Sequence, residues 1–241
     1  MRKEIQHLES INEFYTKGDR MDEMMIDREV ELIKSYSKEG LKVLEVGCGN
    51  GYSTERLYKL FDSYEMIEPS KNNINLLLQK IPDIKVHNCL LEDFHEKTKY
   101  DIILFLSIIE HVEDPVASLR NLLPLLKDDG KVFISCPNGM SLNRRIGKEM
   151  GLLNSFETLA AKDYRVGHRR LYTTELLKKH CELAGLVITS MKGIYIKPFS
   201  EVQMNAYDEN ILRAMHVIGE EIPELCATLF AVANKKSEMI K

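Results

Sequence analysis

The chain has 241 residues, of which 44% are hydrophobic, so it can bury the core of one large domain with small additions, and we expect no second full domain. Its formal net charge of -4 gives no global signal for a nucleic-acid partner or an acidic membrane surface. The five cysteines are widely separated, the amino terminus lacks an apolar signal core and no apolar run could span a bilayer, so we expect a cytoplasmic protein with reduced thiols.

Residues 1–38 are predicted to form an N-terminal helical cap. Apolar side chains recur at helical spacing in two segments, which are separated at Gly18-Asp19. Two interpretations fit this cap: helices that cover one face of a sheet, or a flap over a bound ligand that is lined by Tyr15 and Met21–Met25. On the second interpretation Tyr15 is a candidate substrate-binding residue.

A glycine-rich turn follows the first predicted strand. Residues Val43–Val46 indicate a short strand buried on both faces, and Gly47, Gly49 and Gly51 then force a tight turn into a helix. Such a turn brings backbone N–H groups close to a ligand, and the start of the helix favours an anionic group. A dinucleotide fingerprint requires G-x-G-x-x-G, whereas this turn has the spacing G-x-G-x-G, which argues against NAD.

Glu45 stands two residues before the first of these glycines. The stretch resembles the first motif of class I S-adenosylmethionine-dependent methyltransferases, E/D-x-G-x-G-x-G. The resemblance implies S-adenosylmethionine as the cofactor and S-adenosylhomocysteine as its product. It also implies that Glu45, Cys48 and the three glycines Gly47, Gly49 and Gly51 bind that cofactor.

Glu68 ends the second predicted strand, 21 positions after Gly47 (68 minus 47). An acidic residue at about this place in a nucleotide-binding βαβ unit reaches ribose hydroxyls, so we predict that Glu68 binds the ribose. Pro69 follows it as a further cofactor-binding candidate, and with Ser70 it caps the next helix.

The loop after the third predicted strand, Asn88–Phe94, occupies the place where the resembled family holds adenine. Leu91 would supply an apolar wall, and Glu92 or Asp93 would accept a hydrogen bond from the adenine amino group. A plain loop that caps a helix explains the two acids almost as well.

The fourth predicted strand, residues 100–107, is nearly continuously apolar, as a central parallel strand should be. Ser107 at its end is a further cofactor-binding candidate. Glu110-His111-Val112 and then Asp114-Pro115 follow, the latter an N-cap with a first-turn proline. The fifth strand is predicted over 131–136.

Together the motifs from Tyr100-Asp101 to Cys136-Pro137-Asn138 are similar to class I methyltransferases of the ubiquinone-biosynthesis O-methyltransferase type. The match covers about residues 41–138 and departs from the pattern at Asp129, where the family usually has proline. It implies a Rossmann-like α/β fold, with a mostly parallel seven-stranded sheet, helices on both faces and an antiparallel last strand. The methyltransferase domain is accordingly predicted over 39–241.

Residues 138–172 are predicted to form an acceptor-site insertion, because they are too many for an ordinary connection. The segment carries seven basic and three acidic residues within an acidic chain. Arginine binds carboxylate and phosphate through paired hydrogen bonds, which favours an anionic small-molecule acceptor. The candidate substrate-binding residues in the insertion are Arg144, Arg145, Arg169, Arg170 and Tyr172. The alternative is that Arg144, Arg145 and Lys148 form a solvated helix face.

The end of the insertion, Gly167–Thr173, resembles the family's entry into its penultimate helix. With Ser141–Gly147 and Lys197-Pro198 it looks like methyltransferases found with surface-polysaccharide biosynthesis enzymes, which favours a sugar-linked acceptor. A helical insertion is predicted over 201–219. It would line the acceptor pocket or form a dimer contact, and we expect a monomer or a homodimer.

His111 and His168 are the candidate catalytic residues if the acceptor is a neutral alcohol or phenol, because imidazole titrates nearest to working pH. An anionic acceptor would need no base, and His111 would then tie a strand end to a neighbouring helix. No metal site is predicted. Two rival functions remain, a nucleotide-dependent oxidoreductase and a non-catalytic cofactor-binding protein.

Overall fold

A computed structural model describes residues 3–11 and 20–236 of the chain. These residues form one seven-stranded sheet with the strand order β3-β2-β1-β4-β5-β7-β6. The first five strands run parallel, and β7 is antiparallel to both of its neighbours. The strands are β1 (Lys42–Val46), β2 (Ser63–Ile67), β3 (Lys85–His87), β4 (Tyr100–Leu106), β5 (Leu126–Pro137), β6 (Leu186–Ile196) and β7 (Cys226–Lys235).

Within the described residues ten α-helices surround this sheet. They are α1 (Lys3–Ile11), α2 (Arg20–Lys34), α3 (Tyr52–Leu57), α4 (Lys71–Lys80), α5 (Pro115–Leu122), α6 (Leu142–Glu149), α7 (Ala161–Arg165), α8 (Thr174–Ala184), α9 (Glu201–Met204) and α10 (Glu209–Glu221).

The helices cover both faces of the sheet because the central strands are apolar on both faces. Leu44, Ile103 and Val132 pack with residues of α5 and α8 on one side, while alternate residues of the same strands pack with α2 and α10 on the other. Successive side chains of a strand point to opposite faces, so a continuous apolar run requires a cover on each side. The predicted sheet and its antiparallel last strand are therefore confirmed.

Local signals begin or end several helices where the sequence indicated. Ser70 caps α4 by accepting a hydrogen bond from the Asn73 amide, and Asp114 caps α5 in the same way through Ala117. Thr173 caps α8, which ends at Gly185 in a left-handed conformation with φ 91°.

Two segments differ from their predicted extent. Strand β5 begins at Leu126, five residues before the predicted start, because Leu126 pairs with Tyr100 ahead of a register shift. The single helix predicted over 201–219 is instead the two helices α9 and α10. Asp208 interrupts them, because its side chain accepts from the Asn210 amide and so starts a new helix.

The insertion of residues 138–172 is a loop that is closed at its base. Asn138 and Tyr172 form an isolated parallel bridge, and the Gly139 amide donates to the Tyr172 carbonyl at 2.7 Å. The closed base returns the chain to the ends of β4 and β5. It thereby brings residues 163–168 next to the loop that follows β4.

The two predicted helical segments of the N-terminal cap correspond to α1 and α2, whereas Tyr15 and the break at Gly18-Asp19 lie outside the described residues. The domain boundaries at residues 38 and 39 remain a prediction. Over 3–11 and 20–236, no helix combines the length and the apolarity that crossing a bilayer requires. All five cysteines are free thiols, as expected.

Candidate functional site

A cavity of about 880 Å³ opens at the carboxyl ends of the parallel strands. Its wall is formed by the glycine turn after β1, the loops after β2, β3 and β4, helices α1 and α2, and the insertion. Small-molecule pockets span about 300 to 1,000 Å³, so this cavity lies towards the upper end of that range.

The glycine turn forms a cradle at the edge of this cavity. Gly47 has φ 76°, and a Cβ atom there would stand 2.5 Å from Cδ1 of Ile108. Gly49 has φ 49° and nothing within 4 Å of the place of its Cβ, so its backbone is open to the cavity. Gly51 is the residue immediately before α3 and has φ 77°. A Cβ atom there would stand 3.0 Å from Cδ1 of Leu77. The turn therefore fits a ligand that contacts backbone directly.

Glu68 joins the ends of β1 and β2. Its Oε2 accepts from the Cys48 amide at 2.9 Å, and its Oε1 accepts from the Ser70 amide at 2.8 Å. Burial raises the pKa of this carboxyl, and the two backbone hydrogen bonds offset part of that rise. Glu68, Cys48 and Pro69 all line the cavity, which agrees with the predicted position of a ribose group.

Glu45 lies beneath the turn and is 2% exposed. Its Oε2 accepts from Thr54 Oγ1 at 2.8 Å and from the Tyr64 hydroxyl at 2.7 Å. Burial raises the pKa of Glu45 to about 7, although both hydrogen bonds work against that rise. Glu45 lines the cavity and also anchors the helix and strand that flank the glycine turn.

The remaining cofactor candidates lie along the same wall. Leu91 and Glu92 follow β3 and line the cavity, as the predicted adenine site requires. Ser107 ends β4 in a left-handed conformation with φ 53°, and its amide donates to the Ser135 carbonyl at 3.1 Å. This turn directs the chain after β4 along the cavity, which Ser107 also lines.

His111 and His168 come together although they are 57 positions apart in the chain (168 minus 111). Their ring centroids are 4.9 Å apart and the rings meet edge to face. His111 Nδ1 donates to the Gly167 carbonyl at 3.2 Å, since a carbonyl oxygen can only accept. Burial, with the charge of His168 adding to it, lowers the pKa of His111 to about 3, so His111 is neutral at working pH.

His168 stands between two carboxylates. Its Nδ1 donates to Asp163 Oδ1 at 3.0 Å, and its Nε2 lies 4.0 Å from Glu110 Oε1. Burial alone would raise the pKa of Asp163, but the hydrogen bonds from His168 and from the Ala160 amide outweigh it and hold that pKa below its usual range. This arrangement orients the imidazole of His168, which lines the cavity together with Glu110.

Glu110 is fully buried on the cavity wall, and neither carboxylate oxygen has a hydrogen-bond partner among the described residues. Burial raises its pKa to about 7. Ligand atoms of Glu110, His111 and His168 lie within 4.8 Å of one another, and these residue types together could hold a metal ion. The expectation of no metal therefore remains a prediction.

The four arginines predicted to bind the acceptor donate to groups of the chain itself. Arg144 lines the cavity, yet it donates to the carbonyls of Phe156 and Thr158. Arg145 Nε donates to the Met140 carbonyl at 2.8 Å.

Arg169 and Arg170 hold the loop after β4. Arg169 donates to the His111 carbonyl at 2.6 Å and to Glu4 of α1 at 2.9 Å. Arg170 donates to the carbonyls of Ile109, Val112 and Glu113. Tyr172 is fully buried, with its hydroxyl 3.2 Å from His180 Nδ1. The predicted substrate contacts of these residues remain predictions, and the geometry shows structural roles for each of them.

Sequence reasoning assigned no role to three cavity residues, Glu29, Glu110 and Asp163. Glu29 occupies an inward position of α2 between Met25 and Ile33. An acidic residue within an apolar stripe is a sequence signal that could have indicated a functional carboxylate. Asp163 is five residues before His168, and nothing in that spacing indicates their hydrogen bond.

Comparisons with known proteins agree with this geometry. The family model described as a methyltransferase domain matches residues 19–191. The ubiquinone biosynthesis O-methyltransferase of Aeromonas salmonicida is 26% identical over 176 residues, which cover 69% of this chain and 71% of that protein. The human mitochondrial ubiquinone biosynthesis O-methyltransferase is 26% identical over 215 residues, which cover 84% of this chain but only 56% of that protein.

Solved structures show the same architecture. The N-methyltransferase NodS from Bradyrhizobium japonicum, in complex with S-adenosylhomocysteine, aligns with a TM-score of 0.62 at 12% identity over 98% of this chain and 100% of that one. Magnesium protoporphyrin IX methyltransferase from Synechocystis, also with bound S-adenosylhomocysteine, aligns with a TM-score of 0.63 at 15% identity, covering 96% and 95%. The fold is thus the Rossmann-like fold of class I methyltransferases, and the chain belongs to the methyltransferase domain family, with S-adenosylmethionine as its cofactor.

Proposed function

We propose that the protein methylates a hydroxyl oxygen of a small, largely apolar molecule, with His168 as the general base. The observation that carries this proposal is the line of contacts from Asp163 through His168 to Glu110, three residues that all line the cavity. A neutral hydroxyl must lose a proton on methylation, and an oriented imidazole is suited to accept it.

The cofactor would lie along the wall formed by the ends of β1, β2 and β3. Glu68 would accept hydrogen bonds from the ribose, the backbone of Gly47–Gly49 would contact the cofactor directly, and Leu91 with Glu92 would hold the adenine. When bound, S-adenosylmethionine supplies a methyl group on a positively charged sulfur for in-line attack by an oxygen lone pair.

His168 and its two carboxylates would handle the proton of the acceptor. His168 Nε2 would take the hydroxyl proton as the oxygen accepts the methyl group, and the sulfur of the cofactor would keep the electron pair of the broken C–S bond. Asp163 stabilises the positive charge that develops on the ring, because its Oδ1 already accepts from Nδ1. The carboxylate oxygens of Glu110 have no hydrogen-bond partner among the described residues, so each can accept a hydrogen bond from a hydroxyl group of the acceptor.

The surroundings of the two histidines favour an acceptor with an apolar body. The apolar side chains that line this part of the cavity are Leu8, Ile11, Val112, Val166 and Leu171. Ile11 lies over Gly167, since a Cβ atom on that glycine would stand 2.7 Å from Ile11 Cδ1. The arginines of the insertion donate to backbone carbonyls, which weakens the argument for an anionic acceptor.

A second candidate is O-methylation of an anionic or sugar-linked acceptor, as in the modification of surface polysaccharides. Lys162 and Lys197 line the cavity, and both bind the same carboxylate, Glu201, at 3.0 and 2.7 Å. Lys162 also lies 3.9 Å from Asp22, so this rim carries two ammonium groups and two carboxylates, and a phosphate or carboxylate of an acceptor would bind there in exchange for one of these pairs.

The test is methyl transfer from S-adenosylmethionine with a labelled methyl group to a panel of acceptors. The panel contains an alkylcatechol, an alkylphenol, glucose 1-phosphate and a nucleoside diphosphate sugar. We expect label on the alkylated hydroxyl compounds, and about 10²-fold less with His168→Gln. His95→Gln, at an exposed histidine outside the cavity wall, is the matched control. Transfer to the phosphorylated sugars alone would reject the apolar acceptor and support the second candidate.

A further inference from the structure

Glu29 is a buried carboxylate that α2 contributes to the cavity. It is 7% exposed and lines the cavity wall, while Met21, Leu32 and Ile33 of the same helix are buried in the core. Carboxylates are almost never buried to this extent unless they are paired. Its position therefore requires a partner.

The described residues provide Glu29 with no cationic partner. The ion pairs of α2 are made by Asp22, Asp27, Arg28 and Glu31. Ser135 at the end of β5 gives Glu29 a hydrogen bond, but burial dominates and raises the pKa of the carboxyl to about 7. A hydroxyl group satisfies only part of what a carboxylate can accept.

A second buried carboxylate on the cavity wall lacks a hydrogen-bond partner among the described residues. Glu110 is fully buried, and both of its carboxylate oxygens lack a hydrogen-bond partner in the described structure. Glu29, Glu45 and Glu110 all line the same cavity, and the negative charge of Glu29 opposes the ionisation of the other two. Such a region favours a positively charged ligand group.

The strand order shows which end of the cofactor reaches this region. Glu68 follows β2 and Leu91 follows β3, so on the proposed placement the nucleoside part would lie towards the β3 edge of the sheet. The other end of the cofactor then extends past β1 towards β4 and β5, where Ser107 and Ser135 are hydrogen-bonded to each other. That other end is the methionyl tail, which carries an α-ammonium group.

We infer that Glu29 binds the α-ammonium group of the methionyl tail of S-adenosylmethionine and so makes α2 part of the cofactor site. This inference rests on the cofactor placement of the proposed function. The other two acids of the region have different partners. Glu45 accepts from Thr54 and Tyr64, and Glu110 lies nearest to His168 on the acceptor side.

The experiment compares two ligands by isothermal titration calorimetry on the full chain. S-adenosylhomocysteine carries the ammonium group, whereas 5′-methylthioadenosine shares the nucleoside but lacks the amino-acid tail. Glu29→Gln keeps an acceptor for Ser135 and removes the charge. We expect it to weaken S-adenosylhomocysteine by about tenfold or more and to leave 5′-methylthioadenosine unchanged. Glu31→Gln, two residues further on the exposed face of α2, is the matched control.

A readout on the free protein separates this role from a structural one. Removal of an unpaired buried charge should leave the melting temperature of the ligand-free chain unchanged or higher. Equal weakening of both ligands, unchanged affinity for both, or a large fall in the melting temperature would each overturn the inference. Glu68→Ala should weaken both ligands. If it weakens neither, the cofactor placement itself is wrong, whereas a normal Glu68→Ala result with an inert Glu29→Gln rejects only the role of Glu29.

Discussion

His168 is held by Asp163, whose Oδ1 lies 3.0 Å from Nδ1 of the ring. A carboxylate can only accept, so Nδ1 of His168 carries a proton in this contact and Nε2 is the nitrogen nearest to Glu110. Asp163 is itself fixed by the Ala160 amide at 2.7 Å and by Arg144 at 3.8 Å. The insertion thus carries the proposed base together with the group that orients it.

Asp163→Asn should reduce turnover without changing cofactor affinity. The asparagine keeps an acceptor for the Ala160 amide but removes the charge that stabilises a protonated His168. We expect kcat for an alkylcatechol to fall by about tenfold or more, which is less than the loss from His168→Gln. Steady-state kinetics and calorimetry with S-adenosylhomocysteine measure the two quantities. Unchanged kcat, or a parallel loss of cofactor affinity, would reject the orienting role; Asp128→Asn at an exposed site is the control.

The grouping of most predicted cofactor residues on one cavity wall was predictable because its signals are local. The glycine turn lies with Glu45 and Glu68 in one short βαβ segment of the chain. Parallel strands place their carboxyl ends at the same edge of the sheet, so these residues come together there. The acceptor half was not, because a count of charges in the insertion does not show what each arginine binds. Arg170 and Arg144 find carbonyl partners only once the insertion folds back. The pairing of His168 with Asp163 depends on that same folded loop.

Glu68→Gln should weaken S-adenosylhomocysteine binding by about tenfold, which corresponds to roughly 1.4 kcal/mol. Glutamine has one acceptor oxygen where Glu68 uses one oxygen for the Cys48 amide and the other for the Ser70 amide. The variant therefore loses both the charge and one anchor of the glycine turn. Thermal shift and calorimetry measure the effect. Glu92→Gln, which also lines the cavity, should have a smaller effect, and an inert Glu68→Gln would remove Glu68 from the cofactor site.

Arg170→Lys should lower stability and leave ligand binding intact. Arg170 donates to three carbonyls of the loop after β4, and a lysine ammonium at the end of a single stem cannot reproduce that fork. We expect a loss of about 1–3 kcal/mol in the free energy of unfolding, measured by urea denaturation. Arg165→Lys, at an exposed arginine of α7, is the control. Unchanged stability with a raised KM for the acceptor would instead support the substrate contact predicted from sequence.

His216→Phe should stabilise the protein, and more so in acid. His216 is 6% exposed against the ring of Tyr195, and neither ring nitrogen has a hydrogen-bond partner among the described residues. Burial, with Arg28 nearby, lowers its pKa from 6.5 to about 4, so the unfolded chain binds a proton that the folded chain refuses. Wild-type stability from this group is therefore fully present above about pH 6.5 and falls as the pH drops towards 4. Replacement should add about 1 kcal/mol to the free energy of unfolding near neutral pH, where the unpaired nitrogens are the only penalty, and more at pH 5.

Thermal melts at the two pH values measure this difference. His216→Leu tests whether phenylalanine is simply too large, and a lower melting temperature for both variants at both pH values would show that the imidazole has a partner after all.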